Sequence, residues 1–330
     1  MSLADVVAAI LFTGVVAYAV FAGADFGSGV WDLTAGDAEE GAATRSLIDR
    51  AIGPVWEANH VWLVFVLVYL WTGFPGGFAS IMETLFVPFS LAGAGIVLRG
   101  SAFAFRKMAP TLALARFHGV LFAASSVVTP FVFGTIAGAV AAGRVPADRV
   151  GDRWTSWTGP TSMVGGVLAV LTCAFLASVF LTAEADRGAD AVLTEWFRRR
   201  ALAAGIVTGV VALAGVAPLR HDAPTLFNEL TGRAFPVIVL SAVAGTATLL
   251  ALWQRRVAVA RVTAAMAVSA VVIGWGVAQW PWLLVDELEI DAAAGTTSTL
   301  WALVIVFGLA GVTVVPALAY LYWITQHDAA

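Results

Sequence analysis

Residues 52–62 read Ile52-Gly53-Pro54-Val55-Trp56-Glu57-Ala58-Asn59-His60-Val61-Trp62, and they open an apolar run long enough to cross a bilayer. A carboxylate, an amide, an imidazole and two indoles therefore stand at the mouth of a membrane span. Ionisable groups are costly in hydrocarbon, so a chain that keeps them there generally uses them. Pro54 suits a first helical turn, and Glu57 just behind it complements the positive end of the helix dipole.

The rest of the chain has the same character. Apolar residues make up 60% of the 330 and charged residues 12%, and the mean hydropathy is +0.89. Soluble domains carry about twice that charge fraction. No basic tract suggests nucleic-acid binding. Cys173 stands alone inside an apolar segment, which excludes a disulfide framework and leaves a small packing residue. Met1-Ser2-Leu3-Ala4-Asp5 has no basic leader, so the first apolar run is expected to remain as a span.

Runs of about 20 apolar residues bounded by charge, Pro or Gly predict nine spans: 5–30, 52–72, 79–100, 117–142, 160–182, 201–219, 234–253, 262–285 and 298–325. The expected fold is an all-α polytopic membrane protein with short loops. The runs are too apolar to alternate as a lipid-facing β-barrel would. Arg45, Arg50, Arg106, Lys107, Arg116, Arg187, Arg198, Arg199, Arg200, Arg255, Arg256 and Arg261 fall on one side, with Arg99 nearby. Only Arg144, Arg149, Arg153, Arg220 and Arg233 fall on the other. The positive-inside rule then puts the N-terminus outside and the C-terminus in the cytoplasm. The acidic 286–291 segment lies outside. Tryptophans near span ends (Trp31, Trp71, Trp154, Trp157, Trp253, Trp280, Trp282, Trp323) read as an aromatic belt, whereas Trp56 and Trp62 flank the polar cluster.

Few polar groups are left to carry chemistry. Asp25 lies among Gly23, Gly27 and Gly29 in the inner half of span 1, where small residues permit close helix approach. It either faces the protein interior or sits at the interface. Asp25 and Glu57 fall at similar depth, and a shared polar cavity would raise the pKa of at least one of them, as suits a proton carrier. His60 shares a helix face with Glu57 and either ligates haem or hydrogen-bonds a neighbour. Asn59 adds an amide to the cluster. Arg99 either snorkels to the headgroups or is the counter-ion of Glu57 or Asp25. Glu83 is read as opening span 3. There is no phosphate loop, nucleophile elbow or zinc spacing, and the paired broken spans of many transporters are not evident. No catalytic or metal centre is expected in this chain alone. His118, His221 and His327 lie at span edges or in loops, so several haems would find most of their ligands on another chain.

Taken together the motifs resemble subunit II of the cytochrome bd quinol oxidases. They are Tyr18 to Asp25-Phe26-Gly27-Ser28-Gly29; the 52–62 segment; Pro88 with Leu98-Arg99-Gly100-Ser101 through Arg106; Trp157-Thr158-Gly159-Pro160 with Phe180 to Glu184; and Gly274-Trp275-Gly276 through Trp280-Pro281-Trp282. They run in order along nearly the whole chain. The resemblance implies two four-helix bundles (1–142 and 160–285) and a peripheral helix (298–325). It implies pairing with a similarly folded subunit I that carries haems b558, b595 and d, and leaves open small single-helix subunits and a quinone or lipid bound in this chain. The complex would oxidise quinol and reduce dioxygen to water in the bacterial cytoplasmic membrane. Subunit II would stabilise it and help deliver protons through Glu57 and Asp25, supported by Arg99. Glu57 stands where many members have Asp followed by Gly, Trp280 and Trp282 where tyrosines are usual, and His60 where other polar residues are common. A stand-alone proton- or cation-coupled transporter, or a purely structural scaffold, would use the same buried charges.

Overall fold

A computed structural model describes residues 1–37, 39–53 and 56–327. Pro54, assigned above to the first turn of span 2, and the Trp56 side chain lie outside the described residues. Of the described residues 82% are helical. The elements are α1 (Leu3–Leu33), α2 (Ala42–Ile52), α3 (Trp56–Gly73), α4 (Pro75–Thr84), α5 (Phe86–Lys107), α6 (Leu112–Ala141), α7 (Pro160–Arg187), α8 (Ala191–Asp222), α9 (Pro224–Thr231), α10 (Phe235–Trp253), α11 (Val257–Gln279), β1 (Trp282–Leu284), β2 (Leu288–Glu289), α12 (Ile290–Ala293) and α13 (Thr297–His327). Among the described residues eight helices are long and apolar enough to cross a membrane. The pair α2 and α3, bent by 51°, makes a ninth crossing if counted as one span.

Local sequence sets the helix ends. Ser2 and Asp5 form a reciprocal capping box on α1, with the Ser2 amide 2.8 Å from the Asp5 carboxylate. The Asp190 carboxylate accepts from the first amides of α8 at 2.9–3.1 Å, and Pro75 and Pro160 open α4 and α7.

Two expected spans have different limits. The run 79–100 is broken at Leu85. Pro88 has no N–H to return to the Thr84 carbonyl, so α4 stops and α5 begins, ending at Lys107. Glu83 accordingly closes α4 and does not open the span. The run 262–285 ends at Gln279, because Pro281 holds Trp280 extended (φ −58°, ψ 139°). A short antiparallel ribbon of β1 and β2 follows, turning at Asp286 (φ 60°).

α1 is the central element, packing on α3, α6, α7, α11 and α13. Its glycines set how near the neighbours come. A Cβ on Gly27 would overlap the Cys173 carbonyl of α7, and one on Gly29 would overlap Ser126 of α6. Cys173 is buried. Trp31, expected in the belt, donates from Nε1 to the Ala174 carbonyl at 2.8 Å and so packs inward against α7. α13 rests on α1 and α3, with the Tyr69 hydroxyl donating to Leu303 O at 2.9 Å.

Candidate functional site: a ladder of ion pairs

The close approach of α1 to α6 and α7 carries Asp25 into the interior, where it meets Arg99 of α5. The guanidinium donates from Nη2 to Asp25 Oδ1 at 2.8 Å and from Nη1 to Oδ2 at 3.2 Å. Nη2 also reaches the Asp25 carbonyl at 3.1 Å, and Nε donates to Ser126 Oγ at 2.9 Å. The Asp25 carbonyl accepts from Ser28 Oγ at 2.6 Å. The Phe26 and Phe122 rings lie 5.0 and 4.8 Å from the Arg99 Cζ. Both charged side chains are only 2% exposed. Arg99 is therefore the counter-ion of Asp25 and does not snorkel. The forked geometry satisfies the carboxylate at two points, which a desolvated pair needs to offset the loss of water.

Two helical turns further along α1, Asp32 is also buried. It accepts from Arg45 Nε at 2.9 Å and from Arg106 Nη1, while Arg106 Nη2 donates to Asp49 at 2.6 Å. Arg45 in turn donates to the carbonyls of Gly36 and Asp37 at 2.7 and 2.6 Å. This second rung ties α1, the α1–α2 loop, α2 and α5 together. Asp25 and Asp32 are seven residues apart, as are Arg99 and Arg106. The pairings thus run in step along two parallel helices. Sequence reading missed Asp32 and placed Arg106 only as a loop charge. The matched spacing of seven was the available signal, since it puts each pair on one helix face.

The signature segment lies on the other side of α1. Asn59 is buried, with Nδ2 3.4 Å from the Phe21 carbonyl. His60 Nδ1 is 3.5 Å from the Tyr18 hydroxyl, and the His60 ring also meets Phe26. Trp62 stacks on Phe21. These contacts set an antiparallel register that puts Glu57 about one turn from Asp25 in depth. The two carboxylates nonetheless face different surroundings. Asp25 points at Arg99, and Glu57 is exposed on the first turn of α3. Its exposure follows the helix: Glu57, Val61, Val64, Val68 and Trp71 form one outward stripe. The shared cavity expected from the sequence is therefore replaced by one closed pair and one open carboxylate.

Two further ties were not read from the sequence. Asp222, the last residue of α8, accepts from Arg144 and from the Thr161 amide at 2.8 Å, and so caps α7. Trp280 Nε1 donates to Asp5 at 2.9 Å, joining the start of α1 to the end of α11. Among the described residues no group of three or more His, Cys, Asp or Glu side chains is placed to hold a metal ion.

Comparison with known proteins places this arrangement. The family model described as cytochrome bd terminal oxidase subunit II matches residues 3–325. Cytochrome bd ubiquinol oxidase subunit 2 of Bacillus subtilis (strain 168) is 27% identical over 179 residues, covering 54% of this chain. The chain spans about half (51%) of that relative's length. A chain in the solved structure of bd oxidase from Geobacillus thermodenitrificans has a TM-score of 0.83 at 23% identity, covering 98% of each chain. At that identity the match establishes the fold.

Proposed function

The chain belongs to the cytochrome bd terminal oxidase subunit II family, and from that premise we propose that it is the haem-free partner of a haem-bearing subunit I in a quinol:oxygen oxidoreductase. The match over residues 3–325 carries this reading. The assembly sits in a bacterial cytoplasmic membrane, with the N-terminus of this chain outside and its arginine-rich loops in the cytoplasm. The chain contributes two four-helix bundles and a peripheral helix. Haems b558, b595 and d on the partner would supply electron transfer from quinol and oxygen reduction. The residues of this chain act on protons and on fit.

Oxygen reduction to water consumes protons, and an exposed carboxylate on the first, cytoplasmic turn of a span can take them up. Glu57 is the uptake group of that route, and Asp25 lies on α1 about one turn nearer its cytoplasmic end. Arg99 balances the charge of Asp25 where no water can screen it. Asn59 and His60 fix α3 against α1, which holds Glu57 at its depth.

A reduced-minus-oxidised optical spectrum of the natively purified complex tests the partnership. Haem bands and a second large membrane chain are expected. A colourless single chain that moves solute would replace the oxidase reading with a proton- or cation-coupled transporter. The proton route is tested separately by Glu57→Gln, which is expected to slow oxygen consumption more than it lowers complex yield. Turnover equal to wild type would remove the relay and leave the subunit assignment standing.

A further inference from the structure

Far along the chain from the ion-pair ladder, a groove of about 670 Å³ runs between the last turns of α7 and the first turns of α11. The inward face of α11, Ala260, Ala264 and Val268, packs in the core with Val20 and Leu176. Its outward face, including Val262 and Met266, is exposed and lines the groove opposite Phe180. From Val257 to Ser269 the groove follows α11 for about 18 Å at the helical rise. Its apolar stretch begins at one end of the span and runs inward.

The head of the groove is charged. Arg187 and Arg261 lie there with the exposed Asp186, and Arg187 is paired with Glu184. Arg261 is half-buried over the Phe180 ring, its Cζ 5.0 Å from the centroid. Stacking uses only the face of a guanidinium and leaves its edge donors free. Among the described residues no hydrogen bond or salt bridge takes them up. The charged groups lining the groove are Arg187, Arg261 and Asp186, two cations to one carboxylate, so its field favours an anion. A partly desolvated cation at the head of an apolar slot calls for a ligand with a charged head and a hydrocarbon tail.

We infer that this groove holds one anionic phospholipid, its phosphodiester against Arg261 and Arg187 and one acyl chain along Val262, Ala265 and Met266 beneath Phe180. Native mass spectrometry of the intact, delipidated assembly tests this. The assembly is titrated with dioleoyl phosphatidylglycerol or dioleoyl phosphatidylethanolamine, each with and without inorganic phosphate. The wild-type assembly is expected to retain one phosphatidylglycerol that inorganic phosphate does not displace. Arg261→Gln is expected to bind it about tenfold more weakly, the loss of a charge-assisted hydrogen bond. Val262→Trp, on the outward face where folding is not at stake, is expected to block the tail slot and abolish retention. Equal retention in the wild type and both variants overturns the proposal. So does equal affinity for phosphatidylethanolamine, displacement by phosphate, or a protein helix cross-linked through Met266.

Discussion

The two rungs between α1 and α5 use the same chemistry in different surroundings. Asp25 and Arg99 are closed in, each 2% exposed, with two rings and one hydroxyl as their remaining company. Asp32 and Arg106 sit two turns nearer the helix ends, where Arg106 is 11% exposed and Arg45 and Asp49 share the load. The difference teaches that redundancy, and not pair geometry alone, decides how costly a lost charge becomes. The inner rung has no substitute partner, whereas the outer rung has one on either side.

Breaking the inner rung should therefore have the largest effect. Arg99→Gln strands a buried carboxylate and is expected to cost about 3–5 kcal/mol, read as lost yield and a lower thermal midpoint of the assembled complex. Pairing it with Asp25→Asn should recover much of that loss. If the double variant is as damaged as Arg99→Gln, the penalty does not come from the stranded charge. Arg106→Gln leaves Asp32 still bound to Arg45, so a smaller loss of about 1–2 kcal/mol is expected. A cost equal to that of Arg99→Gln would erase the distinction between the rungs. Exposed Glu57 belongs to neither rung, and Glu57→Gln should leave the thermal midpoint unchanged.

The smallest effect is one of pH, in the loop beside the outer rung. The backbone amides of Glu40 and Glu39 hold the exposed Asp37 carboxyl below the usual carboxylate range. A depressed folded-state pKa contributes stability above the unfolded value of about 3.9, and loses it as pH falls through the folded one. Hydrogen exchange at the Glu39 and Glu40 amides should therefore stay slow at neutral pH and quicken only under stronger acid. Quickening near pH 6 would assign the loop's order to another group.

Much of this was legible in the sequence. The number of spans, the interior role of Asp25 and the packing use of its glycines follow from apolar run lengths and small-residue spacing. What failed has identifiable causes. Hydropathy does not register that Pro88 denies Thr84 an amide partner, so the α4–α5 break was read through. Trp282, Leu283 and Leu284 are as apolar as any span, and only the preceding Pro281 marks the ribbon. Asp32 was not singled out, because its burial is created by Arg45 and Arg106 arriving from distant segments. The separation of Asp25 from Glu57 depended on helix rotation, which depth along the membrane does not specify.

The equal spacing of seven on α1 and α5 has a consequence for how this chain can change. One residue inserted between Asp25 and Asp32 turns the later carboxylate about 100° away from its cation, and no side-chain rearrangement restores it. The same insertion between Arg99 and Arg106 would restore the level of the two groups but turn Arg106 by the same angle, so both would leave the face that the helices share. Each of these stretches, far apart in the chain, must therefore keep its own spacing of seven, and a deletion tolerated in a surface loop would be lost from either of them.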